Sequence, residues 1–206
     1  MKLREMTFGA NIKIPERQDD DSYKLADYTL GFFGVGVAAL IRKDIHSLCR
    51  FGDSTEYAGS DLDKRMTEIY NSYPDEFKEL IIPCTIPLYN GSGAEDITRK
   101  VFAPTLTMVG GGGNEGVDEG FTWPIFTGRN SRKKTFNGSA ADWWLSSQYS
   151  SDIAWIVYTV GSAYLSIPSN THGVVPAFII PQSVQIDDAP DNDGSYRLTV
   201  LESYCS

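Results

Sequence analysis

A helical spacing of apolar residues is confined to one stretch of the sequence, residues 60–81. The apolar side chains between Leu62 and Tyr73 recur every three or four residues, which places them on one face of a helix. Ser60 suits the N-cap of that helix, and Pro74 suits the first turn of a second one. Two adjacent short helices are therefore predicted, over residues 60–73 and 74–81.

Elsewhere the pattern is that of short strands separated by Gly, Pro, Asn and Ser. Residues 1–59 are rich in β-branched and aromatic side chains. Further short strands are predicted over residues 154–160, 163–167, 174–180 and 195–201. The chain is therefore expected to be a mixed α+β protein with two short helices, small antiparallel sheets and long loops. A single domain is expected over residues 1–206, with 187–206 as a short C-terminal extension.

The balance of charge argues against nucleic acid as a partner. The formal net charge is −9, whereas phosphate binding requires a basic face. The densest basic cluster, Arg129, Arg132, Lys133 and Lys134, is expected to be a solvated loop. Membrane insertion is not expected, because no apolar run approaches the roughly 20 residues that span a bilayer. The N-terminal residues lack the apolar core of a secretory signal peptide, so synthesis in the cytoplasm is expected.

No cofactor or metal site is expected. The glycine-rich run of residues 110–116 is not followed by the Lys–Ser/Thr pair of a phosphate-binding loop. The aspartates near the C-terminus lack the spacing of a calcium-binding EF-hand, and are predicted to form a turn with Asp193–Gly194 at its tip. Cys49, Cys84 and Cys205 are widely spaced, which favours reduced thiols over a disulfide framework.

The sequence gives little support to catalysis. His46 and His172 are the two histidines, and serine, cysteine and aspartate are frequent enough that a triad with either of them is compatible with the sequence. No nucleophile-elbow motif of the G-x-S-x-G type is present. We expect His46 to be structural and His172 to be an exposed contact residue, and we expect the chain not to be an enzyme.

Residues 136–186 have the most unusual composition. They contain no Lys, Arg or Glu, and their only charged residues are Asp142 and Asp152. They are rich in Tyr, Trp and Ser, as are antibody contact loops, in which rigid aromatic rings supply area and small polar side chains supply hydrogen bonds. An ordinary β-rich core with polar turns would have a similar composition, so composition alone leaves both interpretations open.

Two sets of residues in this stretch receive predicted roles. A buried framework is expected from the bulky residues Trp143, Trp144, Trp155, Pro176 and Phe178. Ligand contacts are expected from Ser146, Gln148, Tyr149, Ser151, Asp152, Ile153, Tyr158, Tyr164, Ser166, Asn170 and His172. All of these except Ser146 and Gln148 are expected to form one continuous exposed patch, because strand alternation sends every second side chain outward.

Several segments together resemble a domain family of tailed phages and gut bacteria. They are Lys100–Pro104, the run Asp142–Ser147, Trp155–Val157 and the run Gly173–Phe178. Some members of that family are the variable proteins of diversity-generating retroelements. The family usually shows WLRSP and GVRPAF, whereas here Ser146 and Val175 stand in place of Arg, and Gln148 in place of Pro.

The resemblance implies a C-type-lectin-like fold, related to that of formylglycine-generating enzymes, in which the closing segment holds an exposed binding surface. It also implies a tail-associated receptor-binding protein on the virion, which contacts other tail proteins and binds a protein or glycan of the bacterial host through residues 146–172. Related phage proteins often form trimers. In the diversified members, the rewritten codons give Tyr, Ser, Asn, Asp, Ala, Ile, Thr or His, and most of residues 146–172 fit that alphabet, with Gln148 and Trp155 among the exceptions.

Two alternatives to a receptor-binding protein stay open. One is a structural decoration protein of the particle without a variable ligand. The other is an oxidase of the formylglycine-generating type, whose reactive cysteine pair has no matching motif around Cys84 and Cys205. The calcium-and-sugar motifs of lectins are absent, so calcium-dependent sugar binding is not implied.

Overall fold

The computed structural model describes residues 1–204. This part of the chain contains fifteen strands and three short helices. The strands are β1 (Asn11–Arg17), β2 (Tyr23–Phe33), β3 (Val37–Arg42), β4 (Ser47–Arg50), β5 (Cys84–Tyr89), β6 (Ala94–Arg99), β7 (Val101–Phe102), β8 (Lys134–Phe136), β9 (Ser139–Ala141), β10 (Trp143–Ser150), β11 (Ile153–Val157), β12 (Ala163–Ser166), β13 (Thr171–Val174), β14 (Ala177–Pro181) and β15 (Tyr196–Arg197). The helices are α1 (Asp61–Ser72), α2 (Asp75–Leu80) and α3 (Arg129–Arg132). Two 3₁₀ turns, Leu3–Glu5 and Thr199–Tyr204, lie near the ends of the chain. The prediction of a mixed α+β protein with few short helices is confirmed.

The first two helices form where the apolar spacing predicts them. The Ser60 hydroxyl accepts a hydrogen bond from the backbone N–H of Asp63 at 3.1 Å, so it caps the N-terminus of α1. The inward face of α1 includes Leu62, Met66 and Ile69, which are all buried. Pro74 directly precedes α2, where its fixed φ and missing N–H cost nothing.

The larger sheet has six strands in the order β15-β1-β2-β3-β14-β7. Its pairs are antiparallel except for β15, which runs parallel to β1 and brings the C-terminal segment onto the sheet edge. Between this sheet and the helices lies an aromatic cluster in which the ring of Phe178 contacts Tyr28, Tyr73 and Phe77 at centroid distances of 5.1 to 5.7 Å. These buried rings join the helices and the sheet into one core.

The smaller sheet has five strands in the order β12-β11-β10-β13-β4. Its neighbouring tryptophans pack on opposite faces, because successive residues of a strand point in opposite directions. The Trp144 indole contacts the ring of Phe51 and donates to the carbonyl of Cys49 at 2.9 Å. The Trp143 indole donates to the carbonyl of Arg132 at 3.0 Å. Both tryptophans and Phe178 are fully buried and Pro176 is buried, which confirms the burial predicted for these four residues.

The prediction that the basic cluster is a solvated loop is wrong, because Arg129 and Arg132 lie in α3 and because Lys134 is buried. Lys134 begins β8, and its side chain is buried against Trp143. Its Nζ atom lies 5.6 Å from the centroid of the Trp143 ring. Its ammonium group donates to the carbonyls of Arg42 and Lys43, which replace the lost water. Burial lowers the pKa of Lys134 to about 7, because the loss of solvation outweighs the attraction of Asp44.

Within residues 1–204, no helix combines the length and the apolar character that crossing a membrane requires.

Candidate functional site

The strand register divides the predicted contact residues between the two faces of the smaller sheet. Ser166 pairs with Ala154, and Tyr164 pairs with Ile156, so Tyr164 and Ser166 lie on the same face. Trp155 points to the other face, where Tyr149 contacts it edge-on with ring centroids 5.5 Å apart. Tyr149 is therefore separated from Tyr164 by the thickness of the sheet.

Two tyrosines form an exposed pair at the open end of this sheet. The rings of Tyr158 and Tyr164 lie 5.9 Å apart, and the two residues are 45% and 63% exposed. A tight turn holds Tyr158 in place, because its N–H donates to the carbonyl of Ser162 at 2.8 Å and its own carbonyl accepts from Gly161 at 2.7 Å. Gly161 has a φ of +82°, a conformation that favours glycine.

A hydrogen-bonded group of three polar side chains lies beside the tyrosine pair. The Ser166 hydroxyl is 2.8 Å from Nε2 of His172, and it accepts from the side-chain amide of Asn170 at 3.0 Å. The imidazole of His172 also contacts the edge of Trp144 with a centroid distance of 4.6 Å. Burial lowers the pKa of His172, and the opposing attraction of Asp142 is the smaller effect.

These five side chains form one surface, which we call the tyrosine face: Tyr158, Tyr164, Ser166, Asn170 and His172. It combines Tyr158 from the turn after β11 with residues of β12, of β13 and of the loop between those two strands. Two apolar side chains lie nearby in the chain, Val160 in the turn after β11 and Ile167 directly after β12. Each is about half exposed.

The remaining predicted contact residues lie outside the tyrosine face. Ser151 and Asp152 are exposed at the turn between β10 and β11, and Ile153 is half-buried just after it. Gln148 is half-buried in a small cleft against the β5–β6 hairpin. The predicted contact role of Ser146 is wrong, because this residue lies in the middle of β10 and is only 1% exposed.

Trp155 is less buried than the other predicted framework residues, although its side chain packs against the core. Its indole N–H donates to the side-chain carbonyl of Asn114 at 3.1 Å. The Asn114 amide in turn donates to the carbonyl of Gln148 at 2.5 Å and to a carboxylate oxygen of Glu119 at 3.2 Å. The glycine-rich loop thus supports the strands from the face opposite the tyrosine face.

Glu119 is the buried residue to which this chain of hydrogen bonds leads. Its carboxylate is fully buried and accepts from the backbone N–H of Tyr89 at 2.9 Å, from Asn114 and from the Ser147 hydroxyl. Among residues 1–204 no basic side chain forms an ion pair with it. Burial raises the pKa of Glu119, and its hydrogen bonds oppose that effect only in part. The sequence offered no periodic signal for this network, since Asn114 and Glu119 lie in an irregular loop and their partners lie on separate strands.

The aspartate-rich segment near the C-terminus is a turn, as predicted. The Gly194 N–H donates to the carbonyl of Asp191 at 2.9 Å, and the carboxylate of Asp193 contacts Lys13 at 2.7 Å. Nowhere in the described residues do three or more His, Cys, Asp or Glu side chains form a group that could hold a metal ion. Cys49 and Cys84 are free thiols, and Cys205 lies outside the described residues.

Comparison with known families places this architecture in a single family. A family model with the description "Domain of unknown function (DUF6273)" matches residues 36–182. That range covers well over half of the chain and contains the first two helices and the whole five-stranded sheet, so the chain belongs to this family. No curated protein and no solved structure matches the chain.

Proposed function

We propose that the chain is a ligand-binding protein and that the tyrosine face is its contact surface. The observation that carries the proposal is the exposed ring pair of Tyr158 and Tyr164 beside the hydrogen-bonded Ser166, Asn170 and His172. Exposed aromatic rings offer a large apolar area, and the hydroxyl, amide and imidazole groups beside them offer directional hydrogen bonds.

The tyrosine face is held in place by strand pairing and by a buried tryptophan, which favours binding. Tyr164 and Ser166 lie on a paired strand, and the His172 imidazole rests on the buried Trp144. Side chains that are already ordered lose little conformational entropy when a ligand arrives. The absence of Lys, Arg and Glu from residues 136–186 leaves few charges to desolvate at the contact.

The sequence resemblance extends the proposal to a biological setting. The chain acts as a C-type-lectin-like, tail-associated protein of a phage particle, and the ligand is a protein or glycan on the bacterial host. Tyr158 and Tyr164 belong to the restricted alphabet of retroelement-rewritten codons, whereas the supporting Trp144 does not. This division is what a diversified surface on a fixed framework requires.

A binding assay with matched variants tests the proposal. Fluorescently labelled protein is incubated with a panel of gut-bacterial strains and with a glycan array. The double variant Tyr158→Ala/Tyr164→Ala should lose binding by about tenfold or more, because truncating exposed aromatic anchors removes much of the contact energy. Its melting temperature should stay within a few degrees of the wild-type value, since exposed substitutions usually change stability by less than about 0.5 kcal/mol each.

Tyr149→Ala is the matched control, because Tyr149 is exposed to 38% but lies on the opposite face. It should bind as the wild type does. Equal binding by the double variant, or a loss confined to Tyr149→Ala, would overturn the assignment of the tyrosine face. Absence of binding to every strain and every glycan would count against the proposal as a whole.

A further inference from the structure

Asp142 lies close to His172 and Ser166, two residues of the tyrosine face that are six positions apart in the sequence. The Ser166 hydroxyl lies 2.8 Å from Nε2 of His172. On the other side of the same imidazole, Nδ1 lies 3.9 Å from a carboxylate oxygen of Asp142. The order serine, histidine, aspartate through the two ring nitrogens is the arrangement that activates a serine hydroxyl in acyl-transfer enzymes.

The carboxylate of Asp142 is held in position for this role. One of its oxygens accepts a hydrogen bond from the backbone N–H of Thr159 at 2.7 Å, and its other oxygen faces His172. A carboxylate on that side favours the tautomer with the proton on Nδ1, which leaves Nε2 free to accept the proton of Ser166. The 3.9 Å separation is longer than a hydrogen bond, and such contacts often shorten when substrate binds.

The protonation state of His172 also suits a general base. Its side chain is 15% exposed, and burial lowers its pKa below the ordinary value of 6.5. The imidazole is therefore neutral at pH 7, and only a neutral imidazole can take a proton from serine.

Asn170 supplies an N–H donor for the oxyanion that forms during acyl transfer. Its side-chain amide donates to the Ser166 hydroxyl at 3.0 Å, so an N–H donor lies beside the oxygen that would attack. An acyl carbon bonded to Ser166 would bring its own oxygen into the same region, where an amide donor stabilises the negative charge that develops.

We propose that the tyrosine face is an esterase site, in which Ser166 is the nucleophile, His172 the general base, Asp142 the residue that positions the imidazole, and Asn170 the donor to the developing oxyanion. The substrate class is an O-acyl ester carried by the ligand. The location rests on the proposed function, because the exposed tyrosine rings would hold the ligand next to Ser166.

The reaction proceeds in two steps, acylation of Ser166 and hydrolysis of the acyl-serine. The Ser166 oxygen forms a bond to the acyl carbon while its proton passes to Nε2 of His172, and the ester C–O bond breaks as the leaving alcohol takes that proton. A water molecule then attacks the acyl-serine, His172 removes the proton of that water, and the carboxylic acid leaves as Ser166 regains a proton.

Covalent labelling tests the assignment directly. The wild-type protein is treated with a fluorophosphonate probe, and the modified peptide is located by mass spectrometry. Hydrolysis of p-nitrophenyl acetate is measured in parallel. Label is expected on Ser166, and both signals should fall by about 100-fold or more in Ser166→Ala and in His172→Gln. The rate should rise with pH through a midpoint below 6.5, the ordinary value for histidine.

Ser169→Ala is the matched control, because Ser169 is an exposed serine on the same loop, and it should be labelled like the wild type. Asp142→Asn should lower the labelling rate and alter its pH profile. An unlabelled wild type, or equal labelling of Ser166→Ala, would overturn the inference. A wild type that binds bacterial cells without being labelled refutes the esterase alone, whereas labelling without cell binding refutes only the receptor-binding proposal.

Discussion

Replacing Glu119 by glutamine should make the protein more stable, by an amount that grows with pH. Glu119 is fully buried, and burial raises the pKa of its carboxyl group. A raised pKa means that the folded state holds the proton more tightly than the unfolded state does. The stabilisation from that proton is complete below the ordinary value of 4.5, and it is lost as the pH rises through the raised pKa.

The size of the effect follows from the linkage between protonation and folding. Each pKa unit by which folding raises the Glu119 pKa removes about 1.4 kcal/mol of stability once the carboxyl is ionised. Glutamine keeps an acceptor for Tyr89 and Asn114, and its amide can donate to the Ser147 hydroxyl. The variant should therefore match the wild type to within about 1 kcal/mol below pH 4.5 and exceed it above neutrality.

Urea unfolding followed by tryptophan fluorescence, at intervals from pH 4 to pH 8, measures this difference. Comparing the two proteins at each pH cancels the contributions of His46 and His172, which titrate in both. Glu115→Gln removes the same charge from an exposed position on the same loop and controls for the change in net charge. A stability difference that stays constant with pH, or that favours the wild type above neutrality, would refute the reasoning.

Three further perturbations have expected outcomes. Trp144→Ala should cost about 3 to 5 kcal/mol, because it empties a fully buried site, and the loss should appear as a lower urea midpoint or a lower soluble yield. Met66→Ala should cost about 2 to 5 kcal/mol for the same reason, and an unchanged melting temperature would contradict the inward placement of this helix face. Gly161→Ala should lower the melting temperature far more than Gly138→Ala. Both glycines have φ near +80°, but only at Gly161 would the new Cβ lie 1.8 Å from the carbonyl oxygen of Arg129.

The features that the sequence predicted correctly depend on local interactions. Helix α1 has its own apolar period and its own cap at Ser60, so a short window of sequence contains most of what determines it. The burial of Trp143, Trp144 and Phe178 follows from their size, because bulky aromatic residues beside small turn residues fill the core of short-stranded sheets.

The features that the sequence did not reveal depend on distant partners. Strand β13 pairs with β4, so His172 lies opposite Cys49, although more than 100 residues separate them in the chain. Ser166 and Asp142 approach the two ring nitrogens of His172 only because a loop returns across the sheet. No spacing rule connects such residues, and composition left the triad open for that reason.

Tyr149 illustrates how the end of a strand determines to which face of the sheet a side chain points. The sequence predicted that Tyr149 belongs to the same exposed patch as Tyr164. Strand β10 in fact continues to Ser150, with register shifts on both sides of Gln148. Inside a strand, Tyr149 must point opposite to its neighbours, and it therefore contacts Trp155.

The two faces of the smaller sheet consequently tolerate substitution to different degrees. Trp155 donates to Asn114, which in turn donates to the buried Glu119, and loss of one partner would leave buried polar groups unsatisfied at a cost of about 1 to 3 kcal/mol each. On the tyrosine face, Tyr164 is 63% exposed, and its replacement removes little that the core needs. Positions that can vary without unfolding the domain are therefore those whose side chains stand clear of the core, such as Tyr158 and Tyr164, and not the buried Ala154 and Ile156 on the same face. Variation at Tyr158 and Tyr164 can change the ligand while Ser166, His172 and the opposite face of the sheet stay unchanged.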